Sequence, residues 1–291
     1  MQIRFVGEVQ AQEHFSHVLQ KLSRRFPLRV PLTVYIVQTE QPYQTLSRKF
    51  PVAYRDAFSL LSKNGRISFS FLQKHAAVLV LIVTPRRTFL TTDIGALQGI
   101  LAHELMHLRH MQQDVYQRLH ATYLSVWRSF LPRVKKLHRA GAVRVIRRVG
   151  LAAEFLLKDL YVNSSLIQQN YSHALLTYYF REFQMQKVCP RPVFYDKLQR
   201  AIHKDIHVLE DVFVFEFALL SIILPFQKYH PIHARRLLSY IERCYQLNIT
   251  EITRKCGPLV TYYLQHYHKP SPQFEQIYFT LIFEKIYELL L

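Results

Sequence analysis

The sequence predicts an α+β protein: a small N-terminal mixed sheet with one helix, then a helix carrying a compact histidine motif, then a mostly α-helical C-terminal body. Three observations carry this prediction. Period-two alternation and β-branched runs are confined to about the first ninety residues. From Thr91 onward the apolar residues recur almost throughout at helical spacing. Gly is scarce, 7 of 291 residues, which disfavours a turn-rich β fold and favours long helices. The hydrophobic fraction of 49% is enough for a sizeable core, and the chain divides into residues 1–170 and a helical region 171–291.

Residues 2–9 form the first strand candidate. Residues 11–26 have helical spacing, with Phe15, Val18, Leu19 and Leu22 on one side. Residues 28–37 are β-branched and bounded by prolines, which makes them a strand. Lys63, Asn64 and Gly65 have turn chemistry ahead of a third strand at 66–72, where apolar and polar residues alternate. Residues 76–83, AAVLVLIV, are a fully apolar run of strand length. Asp93 is an N-cap for the helix IGALQGILAHELMHLRHMQQD, whose Ile94, Leu97, Leu101, Leu105 and Leu108 recur at helical intervals. Further helices are expected at 115–137, 142–169, 172–188 and 193–203, with three or four more from residue 206 onward. The most apolar stretch, 212–226, contains Glu216, ends at a proline region and is too short to span a bilayer, so it reads as a buried core helix.

The three cysteines, Cys189, Cys244 and Cys256, are odd in number and form no CxxC pair, which argues against a disulfide framework and a cysteine zinc knuckle. The first residues lack the basic-then-apolar plan of a secretory leader. With reduced thiols, this points to the cytoplasm and to no transmembrane segment. The formal net charge is +18, which suggests an anionic partner. The densest basic run is RVKKLHRAGAVRVIRR at 133–148, with Lys135, Lys136, Arg139, Arg144, Arg147 and Arg148 as its candidate contact residues. A solvated basic surface without a partner explains the same run equally well.

His103 and His107 are four residues apart on the motif helix, so both imidazoles project from one face and can share one Zn²⁺ ion. Glu104 is rotated by about 100° from His103, which directs it to a water on the metal as general base. His-Glu-x-x-His arises by chance roughly 0.03 times in a chain of this length with 15 His and 13 Glu, and here it falls inside a clear helix with apolar Leu105 and Met106 between. A third ligand is required. His110 lies on the same face but about 10 Å along the axis from His103, too far for one ion on a straight helix. Two carboxylates on a later helix, Asp159 and Glu154, are better placed, and five residues apart they cannot both bind. Asp159 is favoured, because Asn163 follows on the same face and can orient a ligand through a hydrogen bond.

The segment ILAHELMHL at 100–108 and the preceding order of strands and helix resemble the zincin metallopeptidases, in their gluzincin-like branch. The DLYVN segment at 159–163 is similar to the Glu-x-x-Ala-Asn segment that supplies the third ligand in several such families, with Asp in place of Glu. The resemblance covers about residues 1–170. It implies a zincin-like catalytic core, an edge strand (76–83 or its neighbour) that aligns a peptide substrate, and a zinc peptidase in which Glu104 activates water. Arg109, where many zincins carry an apolar residue, departs from the pattern. Two other expectations compete: a catalytically silent zincin-like scaffold that binds nucleic acid or another anionic partner, and a zinc hydrolase of non-peptide amides.

Overall fold

The computed structural model describes residues 1–38, 68–73, 75–84, 87–137, 141–186, 208–245 and 256–290. In chain order its elements are β1 (Gln2–Val6), α1 (Gln12–Arg25), β2 (Leu32–Gln38), β3 (Ser68–Gln73), β4 (Ala76–Val83), α2 (Phe89–Thr92) and α3 (Ile94–Gln112). Then follow α4 (Val115–Lys135), α5 (Ala142–Gln168), α6 (Ser172–Gln186), α7 (Val208–Tyr229), α8 (Pro231–Tyr245), α9 (Gly257–His266) and α10 (Pro272–Leu290). This is the α+β composition that the sequence predicts. The expected turn at 63–65 and helix at 193–203 lie outside the described residues. No described helix is long and apolar enough to cross a membrane. Cys256 is buried and not in a disulfide.

The described residues group into two compact units, each built from two stretches of chain: Met1–Gln113 with Asn170–Met185, and Asp114–Gln169 with Gln186–Leu291. The sequence instead suggests one division, at residue 170.

The first unit contains a four-stranded sheet in the order β1-β2-β4-β3. β1, β2 and β4 are parallel, and β3 runs antiparallel along β4 with Ser68 opposite Leu81. β2 begins at Leu32 rather than 28: Pro31 has no N–H to donate, and its carbonyl accepts from Ala77 as the ladder opens. The unbroken apolar run of β4 reflects burial on both faces. Val78, Val80 and Ile82 pack with Val37 on one face, flanked by Tyr35, Phe69 and Phe71. On the other side α3 packs against β3 and β4. α1 buries Phe15, Val18, Leu19 and Leu22 and packs against α3. α6 crosses α3 at Gly99, where an added Cβ would sit 2.4 Å from the Ala174 carbonyl oxygen.

In the second unit α5, 27 residues long, is the central helix, packed against α4, α7 and α10. At Gly150 the rings of Phe283 and Tyr123 lie directly on its backbone, 2.6 and 2.9 Å from where a Cβ would be. Glu275, fully buried at the start of α10, accepts from Arg118, Thr122 and Tyr161 and so ties α10 to α4 and α5. The expected core helix at 212–226 lies within α7, where Phe217, Leu220, Ile223, Leu224 and Phe226 are buried.

Candidate metal centre

α3 starts where the sequence places it. The Asp93 carboxylate accepts from the Ala96 amide at 3.1 Å and from Arg181 Nε at 2.8 Å. Burial pushes this carboxyl up, but Arg181 and the helix amides outweigh it and hold it below the ordinary Asp range. The helix then runs 19 residues without proline, burying Leu97, Leu101, Leu105 and Leu108. One face carries His103 and His107, both half-buried, with their Nε2 atoms 3.0 Å apart and their rings at 72°. Two imidazole nitrogens on one tetrahedral zinc at 2.0–2.1 Å would be about 3.3 Å apart. The pair is therefore close to the spacing a shared ion demands.

Glu104 is buried, 6% exposed, between this face and the sheet. Its Oε1 accepts a 2.6 Å hydrogen bond from the Ser68 hydroxyl at the start of β3. The edge strand thus fixes the carboxylate next to the histidine pair. Charge-assisted O–H···O⁻ bonds of this length are among the stronger hydrogen bonds in proteins.

Asp159, the third ligand that the sequence favours, belongs to the second unit, on α5. Two imidazoles and a carboxylate, with one position left for water, form a donor set that suits a catalytic zinc. His110, the remaining histidine of this helix, is buried. Glu154 has both oxygens engaged elsewhere: His120 Nδ1 at 2.8 Å and Lys158 Nζ at 2.8 Å. Asn163 is fully buried, and its amide nitrogen donates to the Ser221 carbonyl, which joins α5 to α7. Lys135, Lys136, Arg144, Arg147 and Arg148 are exposed on α4, α5 and the turn after α4, while Arg139 lies outside the described residues.

Two residues that interact with Glu104 were not marked by the sequence. Ser68 is one: it occupies a polar position of an alternating strand, which normally signals a solvent face. The other is Tyr178 on α6, half-buried, with its Cβ packed where a side chain on Gly99 would go. Burial drives its phenol well above the ordinary Tyr value, and the charges of Glu182 and Glu104 add to this against Arg87. Tyr178 therefore lies within electrostatic reach of Glu104. No sequence motif marks it. The chain as a whole matches no protein-family model, no curated protein and no solved structure.

Proposed function

We propose that the protein is a zinc-dependent hydrolase acting on peptide bonds. The observation that carries this reading is the His103–His107 pair, its Nε2 atoms 3.0 Å apart, beside a carboxylate that Ser68 holds in place. His103 and His107 would hold the ion, with Asp159 as the third ligand that the sequence favours. When bound, zinc supplies Lewis-acid chemistry, acidifying a water and polarising a carbonyl. The protein's own part falls to Glu104. With Oε1 occupied by the Ser68 hydroxyl, its Oε2 takes the proton of the attacking water and returns it to the leaving amine nitrogen. The peptide as substrate follows from the resemblance of the motif helix and its strand order to zincins.

Glu104→Gln keeps the shape and hydrogen-bonding capacity of the side chain but removes its basicity. The variant is expected to retain zinc by mass spectrometry and to lose peptide hydrolysis by about 10²- to 10⁴-fold, the usual contribution of a general base. Hydrolysis at the wild-type rate in Glu104→Gln, or a wild-type protein that retains no zinc, refutes the reading.

A further inference from the structure

We propose that the outer face of α1 is a binding site for a small oligophosphate, independent of the metal centre. A cavity of about 490 Å³ is lined by His17, Gln20, Lys21, Arg24, Arg25 and Tyr171. This volume falls within the range of small-ligand sites, ~300–1,000 Å³. The five α1 residues are exposed and share the side of the helix opposite Phe15, Val18, Leu19 and Leu22, which face the core. Tyr171, from the loop before α6, supplies another wall. Its ring is braced on the fully buried Phe26, with centroids 5.1 Å apart, so the wall is fixed by the core.

The charge of this cavity is one-sided. Among the described residues three permanent cations line it and no carboxylate does. Among the described residues Lys21, Arg24 and Arg25 enter no ion pair, whereas Arg87 and Arg181 of the same unit are each paired with a carboxylate. The C-terminal helix dipole accounts for a basic residue in the last turn. It does not account for a concave site walled by an aromatic ring from another segment. Two guanidinium forks and an ammonium match a chain of phosphates, which offers several charges and many acceptor oxygens at close spacing. A single carboxylate would neutralise only a third of the site. Tyr171 and Gln20 add uncharged donors, and burial keeps the Tyr171 phenol protonated despite the opposing influence of Arg25.

The test is calorimetric titration of the full chain, at about 0.15 M salt, with inorganic tripolyphosphate, ATP, adenosine and a short single-stranded oligonucleotide. Tripolyphosphate and ATP are expected to bind saturably at one site, and adenosine not to bind. Arg24→Ala/Arg25→Ala should weaken that binding by at least about tenfold, while Arg144→Ala/Arg147→Ala on the other basic surface leaves it unchanged. ATP binding tighter than tripolyphosphate identifies a nucleotide as occupant, and equal affinity identifies the phosphate chain alone. Absence of saturable binding, or indifference to the Arg24/Arg25 pair, overturns the proposal. An oligonucleotide bound far more tightly than ATP through the same two arginines also overturns it, in favour of a nucleic-acid surface. None of these outcomes depends on zinc or on Glu104.

Discussion

Replacing Ser68 by alanine removes one hydroxyl of β3 and leaves every group of the motif helix in place. The hydroxyl does two things in the structure: it satisfies an oxygen of a carboxylate that is only 6% exposed, and it fixes which oxygen of Glu104 remains open. Hydrogen bonds to charged groups contribute about 1.5–3 kcal/mol. If the bond holds Glu104 in its working position, the same range applied to the barrier lowers kcat by roughly 10- to 150-fold. Substrate contacts are untouched, so KM should stay within about twofold of wild type. The unsatisfied carboxylate should also reduce stability by about 1–3 kcal/mol, which thermal unfolding will register as a Tm lowered by several degrees. Assays of cleavage on a peptide substrate, with zinc content and Tm measured on the same preparations, separate the two effects. Ser68→Thr, which keeps the hydroxyl, should recover most of kcat. If Glu104→Gln is inactive while Ser68→Ala cleaves at the wild-type rate, Ser68 does not position the base, whatever its effect on Tm.

Asp159→Ala is expected to lose zinc on dialysis, whereas Glu154→Ala should keep it and instead unfold at lower temperature, because His120 and Lys158 lose their shared partner. Zinc loss in Glu154→Ala and retention in Asp159→Ala would exchange their roles. Gly99→Ala places a Cβ 2.4 Å from the Ala174 carbonyl oxygen, a backbone atom, so α6 must move away from α3. A destabilisation of about 1–3 kcal/mol is expected from denaturant melts, and an unchanged midpoint would contradict the packing. The Asp93 carboxyl lies below its ordinary value in the folded state, so it stabilises the fold above its unfolded pKa, and that contribution is lost as pH falls through the lower folded value. Asp93→Asn should therefore be less stable than wild type near neutrality, with the gap closing in acid. A constant gap across that range would place the effect elsewhere.

What could be read from the sequence was local. Four residues along a helix bring His103 and His107 to one face whatever surrounds them. Asp93 caps α3 because the acceptor and the amide it binds are three residues apart. The apolar run of β4 needs only its own composition. Ser68 was hidden because alternation identifies two faces of a strand but not what covers each. Phe69 and Phe71 pack on the face with Val78 and Val80, and the serine side meets a helix that begins more than twenty residues later. Asp159 was named for its spacing to Asn163, yet the amide nitrogen of Asn163 donates to a carbonyl of α7. That contact spans 58 residues, and no periodicity encodes it. The preference for Asp159 over Glu154 gains a separate basis in the His120 and Lys158 bonds, which join turns of two helices.

The crossing at Gly99 has a consequence for the order in which the chain can fold. The first unit takes its last helix, α6, from beyond α4 and α5. During synthesis the sheet, α1 and α3 can form early, but the groove at Gly99 stays bare until residue 170 and its successors have been made. All of α4 and α5, from Asp114 to Gln169, emerges in that interval. The closure joins segments far apart in sequence, a slow kind of step because loop entropy is lost before the contact is gained. A fragment ending at residue 113 would present the histidine pair on a helix with one side open, so the two units cannot be separated by a single cut.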